Sequence, residues 1–473
     1  MGGYLINLGK KLYQIIISRL NGDRIHNQAY QEYIYTLVRN GIGGFIIFGG
    51  ERDDVRAFID KLQSMAEIPL FIASDIERGV GQQIEGCTNF PSQMAVRAAV
   101  NRDNPDDVAI LRDVVRAISL EAIDAGINMP LIPVLDVNRN PDNPIICTRA
   151  FSDNPDDVSC FGAEYIKALE GLGLISCAKH FPGHGDTSID SHISLPVITK
   201  SYGELMDMDI KPFIEAVKTG VSSIMAGHLH VPALDDSAPA SLSKRVITDL
   251  LRKELGFDGL VMTDALNMSA LAGIDNIAVR CVSAGVDILL HPADPDLIVK
   301  DLTSAVRSKL IDEKCIDTAV GRISRVKSRL RNITRVEVDY NTHNALSGHI
   351  TDMSITLVKQ KPGILPVTDG SKAHVVFAGD AAPTIFALFS EVAAWRGNSG
   401  MDNQEMEQIM ELIKKAKNSI VISYGSPYIL HYFKEADILI AAYDASKQSQ
   451  EAVIKCLKGE IDFKGRLPVK LPD

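Results

Sequence analysis

The chain lacks any apolar run approaching the roughly 18 residues that a membrane-spanning helix requires. It also has no CxxC pair, no internal repeat and no low-complexity tract. Its seven cysteines, an odd number scattered from Cys87 to Cys456, do not form the spacing of a disulfide framework or a zinc site. Most sit in apolar surroundings, as Cys177 and Cys281 do, and read as small buried hydrophobes. Positive charge is in deficit, with a net charge of −11, which argues against nucleic acid or an anionic membrane surface as a partner. The beginning of the sequence shows no secretory pattern, because the apolar runs near Leu5 and Ile15 are short and interrupted by Lys10, Lys11 and Arg19. Ile6 stands where a myristoylation signal needs Ser or Thr. These absences together lead us to expect a cytoplasmic protein.

What is present is ample material for a core: 46% of the 473 residues are hydrophobic and 23% charged, a length that favours two domains. Short apolar runs alternate with longer amphipathic stretches up to about residue 335. Strands are expected at residues 14–18, 44–48, 70–74, 127–134, 174–179, 222–227, 259–263 and 286–290. Polar residues recur at their ends: Asp75, Asp136, Lys179 with His180, His228 and Asp264. Eight strands with polar C-terminal ends predict an α/β fold, an N-terminal (β/α)8 barrel with its site at that face. We expect this barrel over residues 1–338, a polar linker at 339–350, and a smaller C-terminal α/β sandwich domain at 351–473 with strands at 355–358, 375–379, 420–424 and 438–443.

The densest chemistry lies between Ala178 and His192, where three of the eleven histidines fall in a Gly- and Pro-punctuated stretch. Asp190 and His192 form an i, i+2 pair. The carboxylate can fix one imidazole nitrogen so that the other delivers a proton, or the two can be an ordinary turn aspartate beside a solvated histidine. Lys179 and His180 point to opposite sides of a strand unless it ends there, and Pro182-Gly183 predicts that it does. Asp264, at the tip of an apolar run, reads either as a helix N-cap or as a carboxylate at the barrel mouth suited to attack on an anomeric carbon. Arg149 alone reads as a surface charge. Gly41-Ile-Gly-Gly44 precedes its strand and reads as a turn rather than a phosphate loop, and Gly397-Asn-Ser-Gly400 reads as a loop.

Lys179-His-Phe-Pro-Gly-His-Gly185 followed by Asp190-Ser-His192 resembles the signature of glycoside hydrolase family 3, in its β-N-acetylglucosaminidase branch. Leu135-Asp-Val-Asn138, Arg149-Ala-Phe151, Thr263-Asp264-Ala-Leu-Asn-Met268 and the closing Gly465-Arg-Leu-Pro-Val-Lys-Leu-Pro472 are similar to further segments of two-domain members. The resemblance implies a retaining exo-acting enzyme that removes terminal N-acetylglucosamine through a glycosyl-aspartate. Asp264 would be the nucleophile, and His192, paired with Asp190, the acid and then base. Asp75, Arg149, Lys179 and His180 would bind the sugar, with no metal and no cofactor. At Gln83 the family carries a sugar-binding arginine, so either Arg78 replaces it or one hydroxyl contact is neutral.

Three alternatives stand beside this reading. A β-glucosidase- or xylosidase-like member is disfavoured by Asp190-Ser-His192, since those enzymes draw a glutamate acid/base from the second domain. A glycoside phosphorylase is open, because a histidine carries no negative charge to repel phosphate. A metal-dependent hydrolase would use His180, His184, His192, His228 and His230 with Asp186 and Asp264 as ligands. The leaving group, whether muropeptide, chitooligosaccharide or another, and the oligomeric state are not encoded in these motifs.

Overall fold

The computed structural model describes residues 7–367, 383–390, 401 and 403–472. The expected strand at 375–379 and the expected loop at 397–400 lie outside them. Eight short strands organise the first part of the chain: β1 (Ile16–Asn21), β2 (Gly44–Phe48), β3 (Phe71–Ser74), β4 (Met129–Pro130), β5 (Cys177–Phe181), β6 (Ser223–Ala226), β7 (Leu260–Thr263) and β8 (Leu289–Leu290). They form two parallel sheets, β4-β3-β2-β1-β8 and β5-β6-β7. Isolated parallel bridges join the two, Val134 to Lys179 at one seam and Met262 to Ile288 at the other. The strands therefore follow one another in chain order around a curled parallel sheet. Strands β3, β6 and β7 are buried at every residue, as in a parallel sheet covered on both faces, whereas β1 carries the exposed Arg19.

The helices between them start where the sequence supplies caps. Asn104, Asn154 and Asp294 each accept a backbone N–H at the start of Pro105–Ala125, Pro155–Gly171 and Pro295–Arg307. Proline at the first turn costs no hydrogen bond, and the aspartates that follow suit the positive helix end.

Several expected boundaries shift for physical reasons. Strand β4 is two residues long where eight were expected, because Pro130 and Pro133 have no N–H to give a ladder. The side chain of Gln93 stands in, donating to Val134 O at 3.2 Å and accepting from Val134 N at 3.3 Å. Gln14, expected in β1, instead ends the helix Leu8–Gln14.

Residues 339–350, expected as a linker, belong to the helix Tyr340–Ser354, whose first turn is capped by Asp339. Beyond it a four-stranded sheet runs in the order β10-β11-β12-β9, from β9 (Thr356–Gln360), β10 (Thr384–Leu388), β11 (Ser419–Ser423) and β12 (Ile438–Ala441). Strand β9 is antiparallel to β12 and the others are parallel. Alternate residues divide between two cores. Ile420, Ile422, Ile438 and Ile440 face one way, and Val421, Leu439 and Ala441 pack the other way against Met94, Ala95 and Ala98 of the helix Gln93–Ala99. Polar contacts fasten the same junction. Tyr428 Oη lies 3.0 Å from both Asn138 Nδ2 and Asn138 O, and Ser152 Oγ donates to Pro468 O at 2.7 Å.

At the opposite end of the curled sheet from the strand-end carboxylates, Lys327 is 2% exposed. Its ammonium donates to Gly43 O at 2.7 Å and Gln14 Oε1 at 3.1 Å and lies 4.8 Å from the Phe71 ring centroid. Burial lowers its pKa from 10.5 to about 7. The unfolded chain then binds more protons than the folded one between these values, so this group makes stability rise with pH across that window. Comparing urea midpoints of the wild type and Lys327→Met from pH 6 to 9 checks this. The wild type should gain relative to the variant as pH rises, by up to about 1.4 kcal/mol per pH unit.

Candidate active site

The C-terminal ends of β1 to β8 open into a cavity of about 790 Å³, lined by Asp75, Glu77, Arg149, Lys179, His180, His192 and Asp264 among others. Six of the seven residues expected from the sequence thus share one cavity. Asp190, the seventh, sits behind His192.

On one side the charges are interlocked. Lys179, 1% exposed, places its ammonium 2.7 Å from both Asp75 Oδ1 and Glu77 Oε1. Arg149 grips Glu77 bidentately, Nε to Oε2 at 2.9 Å and Nη2 to Oε1 at 2.8 Å, the fork geometry that makes such pairs strong. Burial would raise the Glu77 pKa, but the positive charges of Arg149 and Lys179 hold it far below the usual carboxylate range. Burial would likewise lower Arg149 and Lys179, and the facing carboxylates raise both instead. Arg149 is therefore no surface charge. Removing one member of such a set strands the others. We expect Glu77→Gln to lower unfolding stability by about 3–5 kcal/mol in urea titration, with a rise in KM as Arg149 and Lys179 lose their common anchor.

Lys179 and His180 both reach the cavity because the β5–β6 register shifts between Ala178 and Phe181, so the alternation of a regular strand does not apply. His180 Nδ1 lies 2.7 Å from Asp136 Oδ2. The fully buried Asp136 also accepts the His184 backbone N–H at 2.7 Å. His184 itself contacts Thr187 Oγ1 at 2.8 Å and Ser191 Oγ at 3.0 Å, which makes it a brace for the loop rather than a cavity group.

His192 Nδ1 is 2.9 Å from Asp190 Oδ1, and that same oxygen accepts the His192 backbone N–H at 2.8 Å. Asp190 is buried while the His192 side chain is 38% exposed, so the carboxylate orients a ring that faces the cavity. The imidazole retains Nε2 for proton exchange.

Asp264 follows β7, donates its backbone N–H to Ala226 O at 3.0 Å and accepts from Ala265 N at 2.7 Å. No helix starts at Asp264; the next turn, Ser269–Leu271, has Met268 at its cap position. Burial would raise its pKa, but the imidazoles of His180 and His228, the Ala265 N–H and His192 bring it below the ordinary value. It is an ionised carboxylate on a cavity wall.

Gln83 also lines the cavity, donating to Asp75 O at 3.2 Å, and Arg78 lines it nearby. Glu77 and three residues of the second sheet region, Gly425, Tyr443 and Asp444, also line the cavity and were not marked by any motif, while Asp136, expected at a strand end, holds His180 from behind. Among the described residues no group of three or more His, Cys, Asp or Glu is placed to hold a metal ion. His228, one of the histidines of the metal alternative, has Nδ1 2.7 Å from Ser241 Oγ. No helix among the described residues is long and apolar enough to cross a membrane.

Carboxylates and a carboxylate-oriented histidine thus surround one polar cavity at the strand ends of a curled parallel sheet. The model of the glycosyl hydrolase family 3 N-terminal domain matches residues 7–326, and the chain belongs to that family and is a glycoside hydrolase. It is 32% identical to β-hexosaminidase A of Pseudoalteromonas piscicida, over 87% of this chain and 72% of that one. A Cellulomonas fimi protein named β-N-acetylglucosaminidase/β-glucosidase is 28% identical, over 93% of this chain and 90% of its own. In structure the chain is similar to a family 3 β-N-acetylglucosaminidase from Paenibacillus sp. str. FPU-7, with a TM-score of 0.83 and 27% identity, over 98% of this chain and 99% of that one.

Proposed function

We propose that the protein is a retaining exo-β-N-acetylglucosaminidase whose curled sheet is a (β/α)8 catalytic barrel over residues 1–338, followed by a C-terminal α/β domain over 351–473. The observation that carries this reading is the Asp190–His192 pair at 2.9 Å on the same cavity as the ionised Asp264. In the first step an Asp264 carboxylate oxygen bonds to the anomeric carbon as the glycosidic C–O bond breaks, and His192 gives its proton to the departing oxygen. In the second, His192 takes a proton from water, whose oxygen bonds to the anomeric carbon and releases Asp264. Asp75, Arg149, Lys179 and His180 hold the terminal sugar, each charge already partnered so that hydroxyls meet a pre-set array. A muropeptide of cell-wall recycling is one leaving group this reading accommodates.

The name of the Cellulomonas fimi relative joins two activities, so the test must compare sugars. Nitrophenyl β-glycosides of N-acetylglucosamine, glucose and xylose should give the highest kcat/KM with N-acetylglucosamine. Turnover of the glucoside alone would overturn the assignment. Glycosyl phosphate formed in phosphate buffer would show that phosphate replaces water in the second step.

A further inference from the structure

The cavity wall includes three residues from the second sheet region, and one of them carries an unusual group. Asp444 is 4% exposed, and its Oδ1 is anchored by Ser446 N at 2.9 Å and Ser449 Oγ at 2.8 Å. Its Oδ2 is buried with no hydrogen-bond partner, facing Arg78 Nη2 at 3.5 Å. Tyr443, just before it, sits at φ 65° and is pinned through its hydroxyl, 2.8 Å from Thr356 Oγ1. An aromatic residue in the left-handed region is rare, and such conformations persist where the surroundings over-determine them, which is often at functional sites. The left-handed Tyr443 and the two serine contacts thus fix the Asp444 carboxylate at one point of the cavity wall, with Oδ2 left to face Arg78.

That charge faces Arg78, which stands one residue after Glu77 on the loop that follows β3. Arg78 Nε donates to Phe90 O at 3.2 Å, and the side chain is 29% exposed. With Nε on a carbonyl and Nη2 turned to Asp444, the guanidinium is fixed at two corners. It still has N–H groups to offer a ligand oxygen, because a guanidinium carries five donors in a rigid fork.

We propose that Arg78 is a specificity-determining residue that donates to a hydroxyl or carbonyl oxygen of the bound saccharide, and that Asp444, delivered by the C-terminal region, is the positioning residue that aims it. The inference rests on the saccharide reading above and adds to it a role for the second region. An arginine left unaimed on a loop would lose rotamer freedom on each binding event, whereas one held from across the junction has already lost it. The oxygen can belong to the terminal ring or to the leaving ring, and a two-substrate comparison separates them.

The experiment measures kcat and KM for the wild type, Arg78→Ala, Asp444→Asn, Asp444→Glu and the double variant Arg78→Ala/Asp444→Asn, with nitrophenyl N-acetylglucosaminide and with N,N′-diacetylchitobiose. Arg78→Ala and Asp444→Asn should each raise KM about tenfold, with kcat falling less than threefold. The double variant should lose no more than Arg78→Ala alone, since Asp444 acts through Arg78, and Asp444→Glu should regain part of the loss. Loss on both substrates places the oxygen on the terminal ring; loss on the disaccharide alone places it on the leaving ring. An unmoved KM, or losses that multiply in the double variant, would overturn the proposal. Should Asp444→Asn melt at a lower temperature, Arg78→Ala, at a partly exposed side chain, decides by its KM alone. If the wild type prefers glucosides, the sugar assignment fails, and the same variants read on the glucoside still decide the role of Arg78.

Discussion

Asp264→Asn should lower kcat on the order of ten-thousand-fold on every N-acetylglucosaminide, whatever its leaving group. The amide is nearly isosteric and keeps the acceptor oxygen that takes the Ala265 N–H at 2.7 Å, so folding is preserved while the charge of the proposed nucleophile is removed. Burial alone would favour a protonated Asp264, and the facing imidazoles of His180 and His228 reverse that. The site therefore holds the charge that the substitution deletes. A variant retaining turnover within about threefold of the wild type, measured at saturating substrate, would place the nucleophile elsewhere.

His192→Ala and Asp190→Ala should show a different signature, one that depends on the leaving group. A general acid contributes about 10²–10⁴-fold where the departing oxygen needs a proton, so hydrolysis of N,N′-diacetylchitobiose should fall in that range. With a nitrophenyl leaving group, which departs without assistance, formation of the glycosyl-enzyme should fall far less. Asp190→Ala should follow the same pattern at smaller amplitude, because in the proposed mechanism Asp190 aims the ring through the 2.9 Å contact to Nδ1. Equal losses on both substrates would mean that the loop serves structure rather than proton transfer.

The strand-end placement of Asp75, Lys179, His180 and Asp264 was legible because each follows a buried apolar run, and in a parallel sheet with both faces covered such runs can be little else. In the stretch from Ala178 to His192 the spacing of Asp190 and His192 left two readings open, and only the family resemblance chose the pair as acid/base. What the sequence hid was partnership across distance. Glu77 joins Arg149 and Lys179 from a loop, with no spacing that marks it, and a lone arginine in a sequence does not show what it faces. The helix Tyr340–Ser354 was hidden by its own composition. Its buried face is built largely from Ser347, Thr351 and Ser354 beside Ile350, so hydropathy gives no period, although Ser347 Oγ donates to Asn89 O at 2.8 Å. Nor does any motif mark Tyr443 and Asp444 of the second region, which line the cavity only because the fold brings them beside Arg78.

Mass spectrometry of the enzyme trapped with a fluorinated N-acetylglucosaminide tests the central claim most directly, since it reports the sugar and the labelled residue together. One fluorinated N-acetylglucosaminyl group attached to the peptide bearing Asp264, and absent from Asp264→Asn, is the predicted result. A label on any other residue, or turnover of the reagent with no covalent adduct at any time, would contradict the account.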